Sequence, residues 1–250
     1  MKNSKLVPLV ILKRRQISIA QIAQLTIDFY KKLHHFNSNY GLLNIISEIK
    51  TVYDSINIHD KNAQYKLANE ILNQNIERII EIDGIRNPDI DFLFNKSFIS
   101  YALQVKVERE TLATFDFCFS ISPHLGSSIG SIVVNELCFN EFNKAKFFLD
   151  TAKASFAVDY SVMKIFDRNI NKASRSFKAP LGLITYFSND YEIPIPDDLE
   201  GIEYEYTDKG KYLILTRENI AKDEAKLEKA KQKLLKTMQE IADRVPEYIK

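Results

Sequence analysis

The chain has 250 residues, enough for one large domain or two small ones and for a core that hides roughly 70% or more of the unfolded surface. Lys and Arg number 34 against 33 Asp and Glu, and a net charge of +1 gives no general case for binding nucleic acid or an anionic membrane. Gly and Pro are scarce, seven of each, which argues against a disordered or low-complexity chain.

The apolar run Leu6 to Leu12 is broken by Pro8 and followed at once by Lys13, Arg14 and Arg15. It is too short for a signal peptide, and no run approaches the roughly 18 residues of a membrane span. A cytoplasmic protein without an anchor is expected. A helix is predicted over 18–36, with Ser18 and Gln21 as a capping box and Ile22, Thr26, Phe29 and Leu33 on one side. Leu42, Ile45, Ile49, Val52 and Ile56 predict a second helix over 40–57, and Leu67, Ile71, Ile76 and Ile79 a third over 63–82, stopped by Gly84 and Pro88.

From Phe98 the period changes to two. Tyr101, Leu103, Val105 and Val107 form one alternating set, and Phe115, Phe117, Phe119 and Ile121 another, which is a strand pair with one buried face. A Gly/Ser loop over 123–130 leads to a third strand over 131–139. A helix over 141–156 carries Phe142, Ala145, Phe148, Ala152 and Phe156, and Val158–Phe166 reads as a strand. Asp167–Lys178 reads as polar and irregular. Strands are expected at Leu181–Phe187 and Tyr212–Thr216, and a long helix over about 220–243 with Leu227, Ala230, Leu234, Met238 and Ile241 as its stripe. The fold class is α+β, a mostly antiparallel sheet packed with N-terminal helices and a long C-terminal helix. A single domain over 1–250 is expected, mainly helical over 1–96 and sheet plus helices over 97–250. Cys118 and Cys138 fall in strand-like runs and read as reduced core residues.

Between Asn189 and Asp208 the chain carries Asp190, Glu192, Asp197, Asp198, Glu200, Glu203, Glu205 and Asp208, with no Lys or Arg in the interval. Tyr191, Tyr204 and Tyr206 sit among the carboxylates, with Pro194 and Pro196. Acid plus tyrosine on a surface segment suits a basic protein partner. The same residues also suit a solvated hairpin edge whose charges keep strands of different molecules apart.

Catalytic templates find little here. His34, His35, His59 and His124 lack metal-helix spacing, and there is neither a nucleophile elbow nor a phosphate loop. Asn87, Asp89 and Asp91 supply too few oxygens for a calcium loop. A Mg²⁺-dependent nuclease would need an acid-x-Lys on the next strand, where Gln104-Val105-Lys106 stands instead. No catalytic, cofactor or metal residues are assigned. A metal-dependent enzyme using Asp89 and Asp91, and an adaptor protein, remain the alternative classes. The lysine-rich face of the last helix is interspersed with Asp223, Glu224 and Glu228 and reads as a solvated face, so no nucleic acid is expected as partner.

FDFCFSIS with its following Gly-containing loop, SIVVNELCF, the helix around Lys144 to Phe156, PLGLITYFS, and KYLILTREN running into AKDEAKLEKAKQKLLKTMQEI resemble, in that order, the immunity protein 52 family of bacterial polymorphic-toxin systems. Leu183 stands where the family pattern favours tryptophan, which this chain lacks. The resemblance covers roughly the second 150 residues. It implies a protein that catalyses nothing and protects its producer by binding a cognate toxin. The toxin is usually nuclease-like and delivered by contact-dependent or type VI secretion. Nuclease clefts are basic because they hold a polyanion. Asp190, Tyr191, Glu192, Asp197, Asp198, Glu200, Glu203, Tyr204, Glu205 and Tyr206 are accordingly the expected partner-binding residues, seated on the toxin's cleft or on an exosite.

Overall fold

Alternating runs rich in Phe, Tyr, Val and Ile make the strands of this protein, and amphipathic segments cover them. The computed structural model describes residues 5–13, 19–46, 55–74, 98–107, 110–120, 130–135, 141–220 and 223–250. Contacts cluster into two units. The first is Ile11–Asn135 with Thr151–Ala157; the second is Met1–Val10, Glu136–Asp150 and Val158–Lys250. Every strand pairing whose register is described is antiparallel, and the protein is α+β. Among the described residues, no helix is long and apolar enough to cross a membrane.

The first unit holds helix α1 (Ile19–Phe36), strands β2 (Leu42–Ile46) and β3 (Ser55–Asn57), helix α2 (Ala63–Gln74), and strands β4 (Phe98–Val107), β5 (Glu110–Ser120) and β6 (Gly130–Asn135). Their order is β3-β2-β4-β5-β6. The predicted stripe of α1 is its buried face: Ile22, Thr26, Phe29 and Leu33 are all shielded. It lies on the aromatic face of β4 and β5. Phe29 meets Phe115 edge-on at 6.2 Å, Tyr101 stacks on Phe117 at 4.8 Å, and the Thr26 and Tyr101 hydroxyls are 2.6 Å apart.

The helix expected over 40–57 is not formed in its described part. A short 3₁₀ turn, Ser38–Gly41, leads into β2, which pairs with both β3 and β4. Leu42 is exposed while Leu43 and Ile45 are buried, a period of two. Two leucines and two isoleucines fit either period; the open edge of β4 selects the strand. Residues 75–97, with Asn87, Asp89 and Asp91, lie outside the described residues, as do 121–129, which include most of the Gly/Ser loop, and Cys138.

The second unit contains strand β1 (Lys5–Leu12) as far as Val10, helix α3 (Phe142–Ser155) as far as Asp150, strand β7 (Val158–Phe166), helix α4 (Arg168–Ser174), strands β8 (Ile184–Ser188), β9 (Glu203–Thr207) and β10 (Gly210–Ile214), and helix α5 (Glu224–Arg244). The strand order is β1-β7-β8-β10-β9, which leaves β9 at an end. All five residues of β8 are buried, so it is the centre of this core. The predicted stripe of α5 is buried throughout, and Asp223 caps the helix by accepting from Lys226 N at 3.0 Å. The segment expected to be irregular over 167–178 forms α4 instead. Asp167 caps it, accepting from Asn169 N at 2.9 Å and Ile170 N at 3.2 Å.

Candidate functional site: the acidic segment and its edge strand

Three apolar side chains root the acidic segment. Ile193, Ile195 and Leu199 are buried to 3%, 6% and 3% exposure, and they alternate with the exposed Glu192, Pro194, Asp197, Asp198 and Glu200. Gly201, at φ 69°, turns the chain into β9. β9 and β10 then form a hairpin through Asp208 and Lys209, with Thr207 paired to Gly210. Thr207 Oγ1 donates to Gly210 O at 3.0 Å and Asn189 Nδ2 to Asp208 O at 3.0 Å, which fastens the tip.

The carboxylates are extensively ion-paired within the unit. Lys211 pairs with Asp197 and Arg244 with Asp198, while Lys236 Nζ lies 2.5 Å from Glu200. Arg217 grips Glu203 with Nε at 3.1 and 2.9 Å from the two oxygens, and its side chain lies over the Phe142 ring. Lys146 joins Glu205 at 2.8 Å to Asp150 at 2.9 Å, and Asp150 accepts from the Tyr212 hydroxyl at 2.7 Å. The hydrogen bond from Lys236 holds the Glu200 carboxyl below its usual range, and that from Arg217 does the same for Glu203. These cations lie outside the interval 189–208, so an acid count within it overstates the charge on this flank.

The tyrosines take different places. Tyr191 is half-buried against Phe187 at 4.9 Å and Tyr160 at 6.2 Å, and its hydroxyl pKa is pushed up chiefly by burial. Tyr204 is a structural clasp: its hydroxyl donates to Pro196 O at 3.1 Å and accepts from Leu199 N at 2.9 Å. Tyr206 lies 6.3 Å from Tyr204, the rings within 18° of parallel, and is 62% exposed. The geometry therefore gathers Asp197, Glu203, Tyr204, Glu205 and Tyr206 around β9. It sets Asp198 and Glu200 against α5, and Asp190, Tyr191 and Glu192 at the turn after β8. Lys211 and Arg217 were the sequence signal for this pairing, since they directly follow the segment; Lys146, Lys236 and Arg244 come from distant elements.

Among the described residues, no group of three or more His, Cys, Asp or Glu could hold a metal ion. No protein-family model matches the chain, and no curated protein matches it. Among solved structures, the Pseudomonas aeruginosa T6SS protein PA0821 is similar, with a TM-score of 0.43 and 10% sequence identity over 84% of this chain. The chain spans 64% of that protein's length.

Proposed function

We propose that the chain is an immunity-type protein that binds a cognate bacterial toxin, a nuclease effector, and neutralises it in the cytoplasm by direct contact, without catalysis of its own. The order of segments from Phe98 onward supports this reading, through its resemblance to the immunity protein 52 family. The observation that carries it is Tyr206. A large ring stands 62% exposed on an end strand, backed by a second tyrosine whose hydroxyl is fixed at both lone pair and proton. Rigid, pre-placed tyrosines are the usual anchors of tight interfaces, because little rotamer freedom is lost on docking.

The ion pairs around the ring have a second use in this reading. An exposed pair adds little net stability, so an arginine of the toxin can displace Lys211 or Arg217 from Asp197 or Glu203 at little cost. The carboxylates are held in place beforehand and exchange one cation for another. A basic nuclease cleft supplies such cations, and their attraction raises the association rate toward roughly 10⁸ M⁻¹s⁻¹ at low salt. The test is co-expression with a toxin encoded beside this chain's gene. Cells carrying both should grow, and Tyr206→Ala should weaken purified toxin binding by about 2 kcal/mol, roughly 30-fold. Death at the same rate with and without the protein ends the proposal.

A further inference from the structure

β9 stands last in the strand order of the second unit, next to β10. The hydrogen bonds on the far side of β10 fix which backbone groups of β9 face outward. Leu215 N donates to Leu183 O and Asn189 N to Lys209 O, both at 2.9 Å, and these pairs continue the register that sets Gly210 against Ser188. Lys209, Lys211, Leu213 and Leu215 therefore bond toward β8. Successive residues of an antiparallel strand bond to opposite sides, so Gly210, Tyr212 and Ile214 bond toward β9, where they face Thr207, Glu205 and Glu203. Tyr204 and Tyr206 lie between these and turn their backbone N–H and C=O to the open side. Among the described residues, none hydrogen-bonds to those four groups.

An open edge is ordinarily blunted by proline, lysine, a bulge or a covering segment, because unpaired peptide groups recruit strands from other chains. β9, Glu203-Tyr204-Glu205-Tyr206-Thr207, contains neither proline nor lysine, and its register against β10 runs without a bulge. Its side chains sort by face. Tyr204 and Tyr206 share one face, with their rings 6.3 Å apart and the Tyr206 hydroxyl hydrogen-bonded to Asp197. Glu203 and Glu205 take the other, where Arg217 and Lys146 pair with them and leave both partly exposed.

We infer that β9 accepts one further strand, an extended segment of the toxin in which apolar and basic residues alternate. The inference rests on the toxin reading and specifies how the two chains join. An added strand meets the two N–H and two C=O groups of Tyr204 and Tyr206, which only a peptide backbone can match in register. Its residues opposite the tyrosines lie on the face of the exposed Tyr206 ring, and these are the apolar ones. The residue opposite Glu205 lies on the acidic face, and this is the Lys or Arg. A second copy of this chain fails the same test of charge. Pairing Tyr204 with Tyr206 of the other copy sets Glu205 against Glu205, and a shift of two residues sets Glu203 against Glu205. The acids that repel a second copy attract a basic strand, so the edge selects its partner without a proline or a bulge.

The test is amide hydrogen exchange, read by NMR on the full-length chain alone and with the purified toxin domain encoded beside its gene. On binding, exchange at Tyr204 and Tyr206 should slow by about a hundredfold or more, while Glu205, already bonded to β10, changes far less. A pair of variants isolates the backbone. Tyr206→Ala and Tyr206→Pro both remove the ring, but only proline removes the outward N–H, which the β10 ladder does not use. Proline should weaken toxin binding about tenfold more than alanine does. Circular dichroism checks that both variants fold, and exchange in the parent chain decides the matter without them. If the toxin binds and is neutralised while both amides exchange as in the free chain, the added strand is overturned and the toxin reading stands. Equal weakening by proline and alanine overturns the strand as well. So does slow exchange of both amides in the free chain together with a dimer in sedimentation, which gives the edge to a second copy. A toxin that does not bind overturns both the strand and the reading beneath it.

Discussion

Gly210 begins β10 directly against the neighbouring strand. A Cβ there would stand 2.1 Å from Phe187 O and 2.7 Å from the Tyr186 hydroxyl oxygen. The first is backbone, fixed by the register that pairs Gly210 with Ser188, so it cannot step aside without breaking the β8–β10 ladder. Gly210→Ala should therefore cost about 1–3 kcal/mol or more, read as a lower urea midpoint with an unchanged slope. A second residue-scale prediction concerns Asp167, which caps α4 and pairs with Lys231 at 2.9 Å. The hydrogen bond from Lys231, then those from Ile170 N and Asn169 N, hold its carboxyl below the ordinary value of 3.8. A folded pKa below the unfolded one stabilises the protein above about pH 3.8, and that stability is lost as pH falls through the lowered value. Asp167→Asn should reduce stability by about 1 kcal/mol at pH 7 and flatten the acid limb of a stability-versus-pH curve. An acid limb identical to the parent's would show that the pair contributes nothing. Lys231 has the opposite sign. Burial lowers its pKa, but hydrogen bonds to Asp167 and Glu228 leave it raised, so its contribution disappears only as pH rises past 10.5.

At the scale of elements, two kinds of force hold the acidic segment against the second unit, and their sizes differ. The pairs of Asp198 with Arg244 and Glu200 with Lys236 join carboxylates and cations that are 39–76% exposed, and water screens such pairs so that they add little. Burying Ile193, Ile195 and Leu199 adds about 1.5–3 kcal/mol apiece. Leu199→Ala should thus cost about 2–4 kcal/mol, and Glu200→Gln far less. Hydrogen exchange of the Ile202 amide, which donates to Leu199 O, should quicken in the first variant and not in the second. The same balance explains what the sequence disclosed. Long stripes such as those of α1 and α5 were legible because one apolar face fills its period without outside help. The segment after Tyr40 was not: LLNII suits a helix or a strand, and the choice is made by β4, some sixty residues on. β9 was hidden for a related reason, since its alternation of Glu and Tyr reads as polar surface until β10 is paired to it. The candidate site was legible as a concentration of acids and tyrosines. It was not legible as an arrangement, because Lys146, Lys236 and Arg244 reach it only through the fold.

For the whole molecule, a net charge of +1 conceals a local concentration of acids with their partner cations. On the β9 flank of the second unit, Asp197, Glu200 and Glu203 are each paired with a cation from outside the acidic segment. Changing charges on the matched flank therefore does more than remove negative charge. Replacing Asp197, Asp198, Glu200 and Glu203 together by Asn and Gln would take the carboxylate partners from Lys211 and Lys236, leave Arg244 with Glu240 and Arg217 with Glu205, and make the flank less negative. If a basic toxin docks there, attraction weakens. The association rate should fall by about tenfold or more at low salt, and added salt should then slow binding less than it slows the parent. Tyr206→Ala leaves every one of those ion pairs in place, so it should act on the dissociation rate and keep the salt dependence of the parent. Stopped-flow binding of the toxin to the two variants across a salt series separates the effects. A quadruple variant that associates at the parental rate with the parental salt slope places the interface elsewhere than β9, whatever becomes of Tyr206.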